Sequence, residues 1–218
     1  LLARQGGYSY QPVVDGTVIP QAYDTAFRTG QFNRVPVING TNLNELRWSV
    51  GQSYLTGMPT SAAQYQSYVQ TTYGANAAGV LSRYPLAKYS DPGEALAAVE
   101  TDSGVSCASP ILDGWLSKYV PTFGYEFHDA KAPSYLPPIA FPYGAEHTSE
   151  IQYLFPGYHG GEGIQRSLSL EQQVLSDVMV GYWTTFARAG QPSFPLAAYW
   201  PRYVSGYNDI QFLYSPLP

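Results

Sequence analysis

Residues 34–45 read RVPVINGTNLNE, a β-branched apolar run that ends in glycine and passes into a polar loop closing on a carboxylate. Such a run suits a buried strand, because a strand covered on both faces needs no polar alternation. Its loop sets Glu45 just past the strand's C-terminal end, where open α/β sheets build their sites. Farther along, TFGYEFHDA (122–130) is strand-like through its alternating aromatics, and DIQFLY (209–214) reads as a last strand. Upstream, YQPVVDGTVIP (10–20) predicts two short extended pieces around a turn at Asp15–Gly16.

Helical patterns separate these strands. SAAQYQSYVQTTY (61–73) is amphipathic, with Ser61 as its N-cap, and a second piece runs to about Arg83, stopped by Tyr84–Pro85. DPGEALAAVETDS (91–103) opens a helix at Pro92, a first-turn position that proline tolerates. Pro110 is expected to kink or restart it before ILDGWLSKYV. Residues 131–145 are proline-rich and read as a loop. The clearest helix is 170–189: Ser169 and Gln172 form a capping box, Arg188 sits in the last turn, and Gly190 then Pro192 end it. Leu170, Val174, Val178, Tyr182 and Phe186 recur every fourth residue as its expected apolar face. Strands alternating with helices predict an α/β fold with a mostly parallel sheet, as part of one domain covering 1–218.

Composition narrows the function. Of 218 residues only 12% are charged, and the net charge is −5. That balance argues against nucleic acid or an anionic membrane as the partner, since both reward clustered lysine and arginine. No apolar run is long enough for a transmembrane segment. LLARQGGYSY lacks the features of a signal peptide, and the chain starts without methionine, so a processed or cut product is expected. With 20 tyrosines and 18 prolines the composition resembles that of a secreted enzyme. Asn39-Gly40-Thr41 fits the N-glycosylation pattern. A single cysteine, Cys107, rules out an internal disulfide and a cysteine-based metal site.

Three histidines are candidates for chemistry. His128 and His159 are read as structural or solvated. His147, in GAEHTSE (144–150), differs in following a strand through a long loop, beside Glu146 and Glu150. Taken alone it is an ordinary loop histidine, and as a metal ligand with Glu150 it lacks a third partner. A third reading is the base of a nucleophilic triad, which needs an acid to fix the imidazole tautomer. In α/β-hydrolases the chain order is serine, acid, histidine, and Glu45 precedes His147 as that order requires.

PVVDGTVIP (12–20), GQFNRVPVINGTNLNE (30–45), GAEHTSEIQYLF (144–155) and LSDVMVGYWTTFARAGQPS (175–193) resemble, in order, the C-terminal part of the type-B carboxylesterase/lipase family. These are the cholinesterase-like α/β-hydrolases. The resemblance implies that Glu45, matching the glutamate of an Asn-x-Asp-Glu-Gly segment, is the triad acid. His147, matching the histidine of a Gly-x-x-His-Gly-x-Glu segment, is implied as the base. Glu150 matches that segment's trailing glutamate and is implied as a buried supporting group. Trp48 falls where the family often has a gorge-lining aromatic, so it is a substrate-pocket candidate as well as a core-packing one. Asn44 stands in place of the usual aspartate, and Leu46 and Thr148 in place of usual glycines, changes that bear on loop geometry. The DSGVSCASP segment resembles one that holds a disulfide cysteine in some relatives; without a second cysteine, Cys107 is expected as a free, buried thiol.

No Gly-x-Ser-x-Gly elbow occurs in the chain, the nearest stretch being GVSCA (104–108), and the glycine-rich oxyanion loop is missing too. The resemblance therefore implies that the nucleophile is not in this chain but on an N-terminal piece of the same protein, to which this chain is bound as a heterodimer. An incomplete sheet with open edges would be poorly soluble alone. The expected reaction is hydrolysis of a small-molecule or lipid carboxylic ester, with no metal and no cofactor. The rival is a cholinesterase-like adhesion or binding protein that kept the fold and lost catalysis. A glycan-binding module, suggested by the tyrosines, has no aromatic ladder to support it.

Overall fold

The computed structural model describes residues 12–155, 167–195, 197–207 and 209–216. His159 and residues 10–11 lie outside the described residues. Three parallel strands make the sheet: β1 (Val37–Asn42), β2 (Thr122–Phe127) and β3 (Ile210–Leu213), in that spatial order. Val37 to Asn42 pair with Thr122 to Phe127, so β1 and β2 end level with each other. Parallel neighbours need crossovers, and helices supply them. Between β1 and β2 run α2 (Arg47–Leu55), α3 (Ala62–Tyr73), α4 (Ala77–Arg83), α5 (Pro92–Thr101) and α6 (Ala108–Leu116). Between β2 and β3 run the four-residue α7 (Ile151–Leu154) and the long α8 (Leu170–Ala189). A short α1 (Tyr23–Thr29) precedes the sheet. This is a partial α/β-hydrolase fold.

Strand alternation assigns the two faces. Phe123, Tyr125 and Phe127 of β2 pack toward α8, with Phe123 edge-on to Phe186 and Tyr125 edge-on to Trp183. Buried Leu175, Met179 and Tyr182 of α8, with Tyr153, Trp200 and Leu213, complete that core. Gly124, between the aromatics, faces α6: a Cβ there would come within 2.9 Å of Asp113 Oδ2 and 2.6 Å of Ile210 Cδ1. The missing side chain lets α6 lie close. On the same face Asn39 Nδ2 donates to Asp113 Oδ1 and Ser109 Oγ, both at 2.9 Å. Both amide hydrogens of the glycosylation triplet's asparagine are thus used inside the fold.

Most helix boundaries follow the expected caps. Ser61 and Ser169 both head capping boxes, Asp91 caps α5 with Pro92 in its first turn, and Gly190 ends α8 in the left-handed conformation. Four expectations change. The apolar face of α8 matches the every-fourth-residue row only in part: Val178, Tyr182 and Phe186 pack on the core, but Leu170 and Val174 are exposed and Leu175 and Met179 are buried in their place. A step of four residues overshoots a full turn by about 40°, so such a row drifts off the core within two turns. Pro110 is not the restart point. The helix widens into a π-turn over Asp102–Ser106 and α6 begins at Ala108, which leaves Pro110 in the first turn, where no amide hydrogen is needed. Cys107, following that turn, is exposed rather than buried. Among the described residues the pieces flanking Asp15–Gly16 join no sheet; the turn itself is real, with Asp15 Oδ1 accepting from the amides of Thr17, Val18 and Ile19.

Candidate active site

Glu45 and His147 lie 102 positions apart in sequence and meet where β1 and β2 end. His147 Nδ1 is 2.7 Å from Glu45 Oε2. A carboxylate only accepts, so the ring carries its hydrogen on Nδ1 and leaves Nε2 as the free lone pair. The other oxygen, Glu45 Oε1, accepts from the backbone N–H of Asn42 at 2.9 Å. Both oxygens are therefore held, and the carboxylate cannot swing.

The two loops are stitched to each other. The Asn44 amide donates to the Ala145 carbonyl at 2.9 Å, and Asn44 Oδ1 accepts from the Ala145 amide at 3.1 Å. The His147 amide donates to the Glu45 carbonyl at 3.3 Å. Gly144 makes this approach possible: it has φ 66°, and a Cβ would sit 2.3 Å from Asn44 Oδ1. Asn44 thus works as an interloop fastener in place of aspartate. The N-terminal end of α2 is anchored as firmly. The Leu46 amide donates to Thr101 Oγ1, and Arg47 pairs with Glu94 at 2.8 Å while donating to the Pro142 carbonyl.

Of the two residues standing where glycine is usual, Leu46 has φ −82° and costs nothing. Thr148 has φ 69°, and it is the one non-glycine residue with positive φ among those described. A β-branched side chain there is strained by about 1–2 kcal/mol. The turn keeps its glycine-like shape without its glycine.

Three carboxylates surround the imidazole, each in a different state. The Glu45 bond, only partly offset by burial, raises the pKa of His147 above its ordinary 6.5. Glu150 is partly buried, at the start of α7, and its Oε2 accepts from Asn42 Nδ2; burial raises its pKa and that bond pulls it back. Glu146 is fully buried, and neither of its oxygens has a hydrogen-bond partner among the described residues. Desolvation pushes it up to about 7, offset only in part by nearby Ser134 and by His147. Two residues of this arrangement carry no mark in the sequence beyond their polarity. Asn42 holds Glu45 through its amide, and its side chain holds both Glu150 and the Glu146 carbonyl. Tyr135, in the proline-rich loop, accepts from Trp48 Nε1 at 2.7 Å.

Trp48 lies in the first turn of α2 with its ring 5.8 Å from that of His147, edge to face. Together with Glu45, Leu46, Ser49, Val105 and His147 it lines an open cavity of about 330 Å³. Apart from the acid–base pair and Ser49 the lining is apolar. His147 is the exposed member of the pair, its side chain 57% accessible against 14% for Glu45. His128 pairs instead with Glu126, at 2.6 Å, and its ring lies edge-on to Phe212. Among the described residues no group of three or more His, Cys, Asp or Glu side chains could hold a metal ion, and no helix is long and apolar enough to cross a membrane.

A family model described as the carboxylesterase family matches residues 2–214. Fumonisin B1 esterase of Sphingopyxis macrogoltabida is 26% identical over 200 residues, covering 88% of this chain and 35% of its own length. Cocaine esterase of Homo sapiens is 26% identical over 220 residues, covering 94% and 38%. Liver carboxylesterase of Sus scrofa is 27% identical over 217 residues, covering 91% and 37%. The chain therefore spans little more than a third of the length of these relatives.

Proposed function

The chain belongs to the carboxylesterase family, and we propose that it supplies the acid and base of a serine carboxylic ester hydrolase whose nucleophile lies outside residues 1–218. The observation that carries this reading is the Glu45–His147 bond at the ends of two adjacent parallel strands. Three further features support it. The relatives with esterase names are far longer than this chain. The chain contains no Gly-x-Ser-x-Gly elbow. His147 is exposed, with Nε2 available to a group from elsewhere.

In this reading His147 Nε2 takes the proton of the serine hydroxyl as its oxygen bonds to the ester carbonyl carbon. The tetrahedral oxyanion is held by donors that also lie outside this chain. Collapse breaks the bond to the alcohol oxygen, which leaves with the proton carried by Nε2. A water, deprotonated at the same nitrogen, then attacks the acyl carbon. The acid is released and the serine regains its proton. Glu45 fixes the tautomer and stabilises the imidazolium. Glu150 supports the pair through Asn42. The apolar lining around Trp48 favours an apolar substituent of a small-molecule or lipid ester. The tyrosine- and proline-rich composition supports a secreted protein.

Labelling of the full-length protein with a fluorophosphonate tests the reading. One serine outside residues 1–218 is expected to be modified, and modification is expected to abolish ester hydrolysis. Absence of any label on a folded protein would favour the adhesion-type alternative.

A further inference from the structure

A hydroxyl in the proline-rich loop ties together the two elements that carry the acid and the base. Trp48 Nε1 is a donor only, so its 2.7 Å bond to Tyr135 must be accepted by the phenol oxygen. The phenol hydrogen is then free to point onward, and Thr148 Oγ1 lies 3.3 Å away. Trp48 N–H thus donates to the Tyr135 oxygen, and a second hydrogen bond, in which either hydroxyl can donate, joins Tyr135 to Thr148 Oγ1, this link being longer and weaker than the first. At one end of this relay, the Trp48 ring packs edge to face with the imidazole of His147. At the other, Thr148 directly follows His147 and holds the left-handed backbone turn that orients it. Glycine would hold that turn without strain but would have no hydroxyl to receive the link. The strained threonine and the phenol belong to one device.

We propose that Tyr135 is a positioning residue for the base: through Trp48 and Thr148 it holds the His147 ring in register with Glu45. This rests on the reading of His147 as the base. Tyr135 touches neither Glu45 nor His147 through any hydrogen bond among the described residues, so its effect passes through the relay. The ionisable groups facing His147 are Glu45 from the loop before α2, Glu146 beside it in the chain and Glu150 across the turn. The relay changes none of them. It governs how well the Nδ1–Glu45 bond is aligned, and that bond is the main reason the imidazole titrates above its ordinary range.

The test is kinetic, on the full-length protein, with a soluble ester and active sites counted by fluorophosphonate burst. In the wild type the acid limb of kcat/KM is expected above pH 6.5, the ordinary value of histidine, because only neutral His147 is a base. Tyr135→Phe is expected to lower kcat per active site by roughly 3- to 10-fold, the worth of about one hydrogen bond, with KM little changed. It is also expected to move the acid limb to lower pH. Thr148→Val, with the same shape and no hydroxyl, should reproduce both effects in weaker form, and Thr148→Ser should behave as wild type. An unchanged acid limb and unchanged kcat per active site in Tyr135→Phe overturn the proposal. So does a loss that appears only as fewer titratable sites, since that marks a merely structural role. Failure of the underlying reading is distinguishable, because it would appear as retained activity in His147→Ala.

Discussion

Glu146 is the residue whose cost is easiest to isolate. Its carboxyl is fully buried with no hydrogen-bond partner among the described residues, and its pKa in the fold, about 7, lies above its ordinary 4.5. Between those values the folded chain keeps a proton that the unfolded chain has lost. Stability therefore falls as pH rises across that window and stays reduced above it. Glu146→Gln removes the ionisation and little else. It is expected to raise the unfolding free energy by roughly 2–3 kcal/mol at pH 8, and to change it little at pH 4, by denaturant titration at the two pH values. An equal effect at both would mean that the carboxyl is not the source. The same residue marks a limit of reading single positions from sequence. Glu146 and Glu150 look alike beside His147 in GAEHTSE. The Glu150 carboxylate is met by the Asn42 side chain, 108 positions away, whereas that side chain reaches only the backbone carbonyl of Glu146.

The elements divide by how their stability is encoded. Helices with side-chain caps, α3, α5 and α8, are legible because a cap is a local hydrogen bond between residues two or three apart. α1 and α2 have no side-chain cap. α2 exists because Arg47 reaches Glu94 and the Pro142 carbonyl, and because the Leu46 amide reaches Thr101, all of them distant partners. The strands were legible as apolar runs, and their order follows from short parallel pairing. The rotation of the first half of α8 was not, since an i+4 row and the true i+3/i+4 face share Val178, Tyr182 and Phe186 and part only toward the N-terminal turns. Substitution tests the corrected face. Leu175→Ala, which deletes a fully buried side chain, is expected to cost about 2–5 kcal/mol. Leu170→Ala, at an 80% exposed position, is expected to stay within about 0.5 kcal/mol. Comparable losses in the two variants would restore the every-fourth-residue face.

At the scale of the molecule, the chain spans little more than a third of the length of its relatives, and its fold accounts for the geometry around His147. Strands β1 and β2 bring the Glu45 carboxylate and the His147 imidazole together at their adjacent ends. Backbone hydrogen bonds lock their loops, and Asn42 closes the arrangement from behind. An exposed imidazole and a largely apolar cavity then stand beside each other, and in the proposed reading the nucleophile that uses them lies outside residues 1–218. The groove between the β1 edge and α6 is lined by exposed Tyr23 and Ile111 as well as Trp115, which fits the proposal that further residues of the protein pack there. The meeting of Glu45 and His147 was legible because each follows a predicted strand. The left-handed threonine and the phenol bridge were not, because each depends on three segments converging.

The central claim is that His147 is the base of an ester hydrolase assembled from this chain and residues outside it. The most direct measurement is kcat/KM for a soluble ester with full-length wild type and His147→Ala, matched for folding by circular dichroism. The account predicts a loss on the order of 10⁴-fold or more. Activity within a few-fold of wild type in the folded variant would contradict it.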